Sequence, residues 1–333
     1  MYDKIKQYFQ DNNLPKFRIK QFEDLIFKQF VSSFDDMTTF SKDLREQLNE
    51  NFNLYSLSLI ETEKTKDTIK FMFETEDGDH IESVLMINGK RRTACVSSQI
   101  FCAMGCKFCA TGAKPFKRNL TGEEIVEQVL FISKYLKKMD ERVSNVVYMG
   151  MGEPFMNYDN VVESIKIFND RDKFDIGARH IVVSTCGIIP KIKEFMNLNL
   201  QVRLAISLHA ANDELRSSLM PVNNQYPLKD LIEVCDEFTK KTNKKVSYEY
   251  VLIKGVNDSE KDAKELVQLL EGKLVHVNLI AYNPHEFADF EKPAKSTIIN
   301  FKNILENNKI ESSVRRSMGD EISGACGQLA GKK

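Results

Sequence analysis

Between residues 2 and about 50 the apolar positions recur at helical spacing, through Phe22, Leu25, Ile26, Phe27 and Phe30 and again at Leu44 and Leu48. This spacing predicts a small helical module. Two alternating stretches follow, 68–74 and 80–87, joined by Glu76-Asp77-Gly78-Asp79. An Asp-Gly pair between alternating runs favours a tight hairpin, which puts Glu82 on the second hairpin strand. After Ala94 short β-rich runs at 94–98, 145–149, 180–184, 202–207, 246–253 and 274–280 alternate with amphipathic helical runs. The first helix starts at Thr121 with Glu124 three residues on, a capping-box signature, and continues through Val126, Val129, Leu130 and Ile132. Others follow Asp159, Ile188, Pro227, Asp258 and Ser296, and a last short strand is predicted at 312–315. Strand–helix units in series give an α/β fold with parallel strands, in a barrel or an open sheet. Six units fall short of the usual eight of a closed barrel.

Composition narrows the setting. Residues 1–10 carry no basic-then-apolar signal pattern and no apolar run is long enough to span a bilayer, so a cytoplasmic protein without membrane contact is expected. Its seven cysteines are then expected to be reduced, and clustered thiols there point to metal binding or catalysis rather than to disulfides. The 47 basic and 48 acidic residues leave a formal net charge of −1, which says nothing about a polyanionic partner. Locally the balance differs. From Gly89 to Arg118 the chain carries Lys90, Arg91, Arg92, Lys107, Lys114, Lys117 and Arg118 and no acid. Such a run is often only a solvated face, but one without compensating acids suits an anionic substrate.

Inside that basic run lie Cys102, Cys106 and Cys109. Thiolates select zinc or iron–sulfur clusters, and three of them leave one position of a cubane open for a further ligand. Cys95 is a conceivable fourth zinc ligand, yet structural zinc sites usually use two separated ligand pairs and no second pair is evident. The iron–sulfur reading is therefore preferred. In parallel α/β folds chemistry collects at the carboxyl ends of strands. Here the cysteine loop follows the first strand, Gly150-Met151-Gly152-Glu153-Pro154 the second, Ser184-Thr185 the third, Ser207-Leu208-His209 the fourth and Asn283 the sixth. Each has an ordinary alternative: the glycines serve a turn and lack the third glycine of a dinucleotide fingerprint, Ser184 caps a helix, and His209 is a satisfied structural histidine. Their joint placement on one face carries the functional reading. Cys186 and Cys235 read as core residues. Cys326, between Gly324 and Gly327, is a tail thiol on a backbone expected to be mobile.

The spacing Cys-x3-Cys-x2-Cys resembles the radical S-adenosylmethionine superfamily. Cys95-Val96-Ser97-Ser98-Gln99, Cys106-Lys107-Phe108-Cys109-Ala110-Thr111-Gly112, Met149-Gly150-Met151-Gly152-Glu153-Pro154, Ser207-Leu208-His209, Asn283-Pro284 and Ala325-Cys326-Gly327-Gln328-Leu329 together resemble the RlmN/Cfr family of dual-cysteine RNA methyltransferases, in order and over nearly the whole chain. The resemblance implies a partial (β/α)6 barrel at 89–315, behind an N-terminal accessory domain with hairpin at 1–88 and before a tail at 316–333. It implies that Cys102, Cys106 and Cys109 hold a 4Fe-4S cluster that chelates S-adenosylmethionine, of which two are used per turnover. Gly152, Glu153, Ser184, Ser207, Leu208, His209 and Asn283 match the family's cofactor-binding positions. Cys326 matches its methyl-accepting cysteine, Cys95 the cysteine facing it, and Glu82 the proton-accepting carboxylate.

The implied substrates are 23S rRNA and tRNA, with flavodoxin or ferredoxin as electron donor, and the protein is expected to act as a monomer. Lys90, Arg91, Arg92, Lys114, Lys117, Arg118, Arg315 and Arg316, together with a basic N-terminal module, are the RNA contacts expected from charge. Pro154 and Gly319-Asp320 resemble the branch that methylates adenine carbon 2, whereas the carbon-8 resistance branch typically has alanine after the glutamate. Phe101 departs from the family, which has glycine there. A different class, an iron–sulfur RNA-binding regulator, would leave Cys326 without a task.

Overall fold

The computed structural model describes residues 2–331. Helices α1 (Tyr2–Asp11), α2 (Phe17–Asp24) and α3 (Lys42–Asn51) form the N-terminal module, with a π turn at Leu25–Gln29 between the last two. Their apolar faces meet: Phe9 packs edge-on against Phe22 and Phe40 at centroid distances of 6.0 and 5.8 Å. Phe30 ends the π turn at φ +55°. Ser41 caps α3 by accepting the Leu44 N–H at 3.3 Å. Phe27 reaches out of the module to Phe174 at 5.5 Å, which ties it to the rest of the chain.

One long strand, besides two of only two residues, escaped the sequence pattern. β1 (Leu57–Lys64) buries little beyond Leu57 and carries exposed Leu59 and Ile60, so no alternation marks it. It is an edge strand, paired antiparallel to β2 (Thr68–Thr75) with an irregularity between Leu59 and Glu61. The expected hairpin joins β2 to β3 (His80–Asn88), with Gly78 at φ +77° in the turn. β3 then pairs antiparallel with β4 (Arg91–Cys95), so the sheet runs without interruption across residues 88 and 89. A two-residue ribbon, β5 (Gln99–Ile100) with β6 (Arg118–Asn119), closes the base of the cysteine loop.

From β4 onward pairing is parallel, through β7 (Asn145–Tyr148), β8 (Ile181–Thr185), β9 (Arg203–Ser207), β10 (Val246–Leu252), β11 (Val275–Ala281) and β12 (Ser312–Arg315). Helices α4 (Gly122–Lys137), α5 (Tyr158–Asn169), α6 (Ile189–Phe195), α7 (Asp213–Leu219), α8 (Leu228–Thr242), α9 (Glu260–Leu270) and α10 (Lys295–Asn307) connect the strands. The capping box at α4 forms as expected: Glu124 N–H donates to Thr121 Oγ1 at 3.1 Å and Thr121 N–H to Glu124 Oε2 at 2.8 Å. The seven-residue α7 was not foreseen. It starts from Asn212, whose side chain accepts the Leu215 N–H.

Six strand–helix units and a closing strand thus make an open, barrel-like sheet whose edges are β1 and β12. Because side chains alternate along a strand, every second residue lines the inside. Arg91, Thr93 and Cys95 share one face of β4, His180, Val182 and Ser184 one column at β8, and Arg203, Ala205 and Ser207 one column on β9. The tail covers the open side. Arg316 pairs with Asp67 at 3.0 Å, and the Ala330 and Gly331 N–H groups donate to Glu82 Oε2 at 2.9 and 3.1 Å.

Candidate cofactor chamber

The cysteine loop leaves the sheet after β4 and turns through two left-handed positions, Phe101 at φ +60° and Gly105 at φ +62°. Glycine takes such a φ freely, so Phe101 holds a strained conformation where the family resemblance places a glycine. Lys107 N–H bonds to Leu219 O at 3.0 Å, Cys109 N–H to Cys106 O at 3.2 Å and Ala110 N–H to Gly327 O at 2.8 Å. These bonds aim all three thiols into one chamber of about 150 Å³ at the carboxyl ends of the strands. Burial pushes each thiol up, Cys102 to about 12, so a cation is needed to hold them as thiolates.

Across the chamber Gly150-Met151-Gly152 lies directly on Val96–Gln99. A Cβ on Gly150 would meet Val96 O at 2.7 Å, and one on Gly152, at φ +97°, would meet Gln99 Cβ at 2.5 Å. Both glycines are therefore required for close approach of two backbone segments. Glu153 is buried and ties the strand ends together: Oε1 accepts the Phe155 N–H at 2.9 Å and Oε2 the Cys186 N–H at 2.7 Å. Burial raises its carboxyl despite those bonds. Ser184 and Ser207 face each other at 3.5 Å.

His209 sits at φ +60° with its ring edge-on to Phe108 at 4.6 Å. Its Nδ1 accepts the Val251 N–H at 2.9 Å, which places the proton of the neutral ring on Nε2. Burial first, and then the Arg216 cation, hold its pKa down at about 3. Leu208 is fully buried and does not line the chamber; its backbone bridges Glu249 O and the Arg216 guanidinium. Asn283 donates Nδ2–H to Cys326 O at 3.1 Å while its buried Oδ1 has no partner, and the buried Tyr282 hydroxyl also lacks one.

Arg216 carried no sequence signal. It lies on α7 with no motif around it, yet its fully buried guanidinium donates to Leu208 O, Cys186 O and Asn223 Oδ1 at 2.7–3.1 Å. A buried guanidinium bonded to carbonyls fixes the ends of β8 and β9 and sets positive charge beside Cys106.

The remaining thiols lie one step further in. Cys95 ends β4, buried, with its thiol pushed up to about 12 by burial and then by the nearby Cys326 sulfur, while the Arg315 cation opposes the shift. Cys95 and Cys326 line a small cleft with Met86, Met149 and Arg315, and Cys326 also lines the cysteine chamber. Cys326 is thus common to both spaces. In this conformation its segment is tethered rather than loose: Gly327 O accepts from Ala110, Gln328 Nε2 donates to Pro284 O at 2.9 Å and Leu329 O accepts from Thr111 Oγ1 at 2.5 Å. Glu82 lines neither space. It sits beneath the tail with Lys70 Nζ 3.3 Å from Oε1.

The basic run is compensated in space. Arg92 pairs with Glu141, Lys117 with Asp79, and Arg118 with Asp77 and Glu124 at 2.7 and 2.8 Å. The N-terminal module is not basic either: residues 1–56 contain eight lysines and arginines against nine acids. Charge along the sequence misled here because the acids arrive from β2–β3, α4 and the turn after α4.

The donors fit an iron–sulfur cubane with a chelating cofactor better than a lone ion. Among the described residues no group of three His, Cys, Asp or Glu side chains is arranged to hold a single metal ion, whereas a cluster spreads its thiolates wider. The orphaned Asn283 Oδ1 and Tyr282 hydroxyl are buried polar groups of the kind a polar ligand satisfies. No helix among the described residues is long and apolar enough to cross a membrane.

Comparison with known proteins agrees. Residues 96–267 match the Radical SAM superfamily, which implies a 4Fe-4S cluster and S-adenosylmethionine, and residues 1–54 match the ribosomal RNA large subunit methyltransferase N-terminal domain. The chain is 46% identical over 329 residues to a probable dual-specificity RNA methyltransferase RlmN of Clostridium novyi (strain NT), covering 98% of this chain and 95% of that protein. It is 44% identical over 333 residues to the protein of the same description from Staphylococcus aureus (strain JH9), covering 100% and 92%. The crystal structure of a radical SAM methyltransferase from Sphaerobacter thermophilus superposes with a TM-score of 0.96 at 42% identity, over 99% of this chain and 97% of that one. The chain belongs to the RlmN family of radical SAM RNA methyltransferases.

Proposed function

We propose that this enzyme methylates carbon 2 of an adenine in 23S rRNA, and of the tRNA adenine next to the anticodon, by a ping-pong reaction through S-methylcysteine at Cys326. The observation that carries the reading is the position of Cys326 in both the cysteine chamber and the Cys95 cleft. A thiol so placed can meet a cofactor on one side and a base on the other.

Cys102, Cys106 and Cys109 would hold the cluster, and Gly152, Glu153, Ser184, Ser207, His209 and Asn283 would frame the cofactor, with Leu208 positioning the end of β9 through its backbone bonds. When bound, the cluster and S-adenosylmethionine supply a transferable methyl group and, from a second cofactor molecule and one electron, a hydrogen-abstracting radical. Adenine carbon 2 is electron-poor and cannot attack a sulfonium methyl, so the Cys326 thiolate takes the methyl group first. Cys326 then presents its methyl group to the base. Glu82, or Cys95, would remove the ring proton from the covalent adduct, with the adduct's unpaired electron returned to the oxidised cluster that supplied one at the start, and for Glu82 this requires the tail to lift from its carboxylate. The Cys95 thiolate would attack the Cys326 sulfur and form the disulfide as the sulfur–methylene bond breaks, and the methylene carbon, left with the electron pair, would take up a proton to give the methylated base. External reductant restores both thiols. Flavodoxin or ferredoxin is the expected donor, and a cytoplasmic monomer the expected form.

The test is mass spectrometry of hypomodified rRNA and tRNA treated with the reconstituted enzyme. 2-Methyladenosine is expected in both; 8-methyladenosine would move the protein to the carbon-8 branch, and unmodified RNA would overturn the reading.

A further inference from the structure

A second opening leads into the barrel interior from the end opposite the cysteine loop. It has a volume of about 650 Å³ and is lined by residues at the amino-terminal ends of the strands: Arg91 and Asn145 begin β4 and β7, His180 precedes β8, and Arg203 begins β9. Arg179 and Arg316 complete its rim. Five arginines therefore line it, if Arg315 deeper inside is included, and Glu249 is the one acid among the described lining residues. Glu249 accepts a hydrogen bond from Asn278 Nδ2 at 2.7 Å and lies 3.9 Å from the Arg315 guanidinium, so it faces the inner arginine rather than those of the rim.

The rim cations differ from the ion-paired members of the basic run, Arg92, Lys117 and Arg118. Arg91, Arg179 and Arg203 are exposed and make no ion pair or side-chain hydrogen bond among the described residues. They come from three separate elements and converge on one opening. Guanidinium groups held this way suit phosphodiesters, which they bind in fork geometry. Below the rim the wall is mixed, with Met86, Val147, Met149, Val182 and Met318 beside Thr93, Ser247, Asn278 and Ser313. A cationic rim over a wall that joins methionines to hydrogen-bonding side chains suits a nucleotide whose phosphates stay outside and whose unstacked base goes in, its faces against the methionines and its edges toward the polar groups. The opening also leads to the chemistry: it shares Met149 and Arg315 with both the cysteine chamber and the Cys95–Cys326 cleft.

We propose that this amino-terminal mouth is the RNA-docking site, with Arg91, Arg179 and Arg203 holding the phosphates that flank the target nucleotide. The proposal rests on the reading of the chain as an RNA-modifying enzyme. It is tested by fluorescence anisotropy of a labelled stem-loop RNA with an unpaired adenine, titrated with the full-length holoenzyme at several KCl concentrations. An Arg179→Gln/Arg203→Gln variant should bind roughly tenfold more weakly and lose about 1.4 from the slope of log K against log salt, two single-strand phosphate contacts' worth. Arg171→Gln, an exposed cation outside the mouth, should match wild type. Thermal melting confirms that each variant is folded. Unchanged affinity and slope in the double variant overturn the docking site while leaving the RNA reading intact; failure of the wild type to bind the RNA overturns both.

Discussion

Asn283 donates an amide hydrogen to the carbonyl oxygen of Cys326 at 3.1 Å and keeps its own buried oxygen without a partner. One side chain thereby links the end of β11 to the Cys326 segment and offers an acceptor to a ligand in the chamber. A buried unpaired acceptor costs about 1–3 kcal/mol, which a bound donor relieves. Asn283→Ala should lose both effects. We expect S-adenosylmethionine affinity to fall about tenfold, equivalent to about 1.4 kcal/mol, and S-methylation of Cys326 to slow. Titration calorimetry and intact-mass analysis check these outcomes separately; unaltered cofactor affinity would remove Asn283 from the binding frame.

His209 makes the fold sensitive to acid. Its pKa is held at about 3 in the folded chain against 6.5 when free. A depressed folded pKa contributes stability that is fully present above 6.5 and is lost as pH falls from 6.5 toward 3, because the unfolded chain binds the proton first. At about 1.36 kcal/mol per unit the effect is bounded at about 5 kcal/mol. His209→Asn keeps an oxygen acceptor for the Val251 N–H and tolerates the left-handed φ of +60°. Urea denaturation at pH 7 and pH 4 should show a smaller acid loss in that variant than in wild type. Equal losses would exclude His209 as the source.

The glycines of the chamber give a sharper steric prediction. A methyl group at Gly152 would meet Gln99 Cβ at 2.5 Å on a backbone held at φ +97°. Gln99 cannot swing away freely, since its Oε1 accepts the Glu153 N–H at 2.8 Å. Gly152→Ala should therefore destabilise the protein by at least about 1–3 kcal/mol and lower cluster retention after reconstitution. Iron content and the melting temperature report the two effects; wild-type values for both would mean that the loop can relax.

Alternation and punctuation in the sequence were enough to place Cys102, Ser184, Ser207 and Asn283 near one another, because a parallel strand aims its last residues at one face. Arg216 escaped because a buried cation leaves no local mark: its partners are the carbonyls that follow β8 and β9 and the Asn223 side chain, which only the fold brings together around it. The edge strand β1 escaped because its exposed residues have no face to alternate against. Charge was misread for a related reason. Arg92 and Arg118 stand in an acid-free run, but their acids come from other elements, whereas Arg179 and Arg203 stand apart in sequence and meet only in the fold.

Glu82 and the tail form a contact that must break for the proposed proton transfer. Its Oε2 accepts two backbone N–H bonds, and its Oε1 lies 3.3 Å from the buried Lys70 ammonium. Glu82→Gln keeps one oxygen but loses the charge that strengthens all three contacts. The tail should become easier to cleave by limited proteolysis, and turnover on RNA should drop at the step after base addition. A tail as resistant as wild type would show that the carboxylate does not hold it.

Cys95 supplies the last test, because its environment sets both its task and its slowness. Burial pushes its thiol up to about 12, so at neutral pH nearly all of it is protonated and unreactive toward sulfur. Arg315 counters that shift from the same cleft, and a bound polyanion that draws Arg315 away would raise it further. Removing the thiol altogether should block product release without blocking base addition. Cys95→Ala is expected to accumulate a covalent RNA–protein adduct that survives a denaturing gel and disappears on ribonuclease treatment. In wild type, release of that adduct should quicken with each unit of pH above 7, as the thiolate fraction rises. Normal turnover and no adduct in the Cys95→Ala variant would assign release to another group.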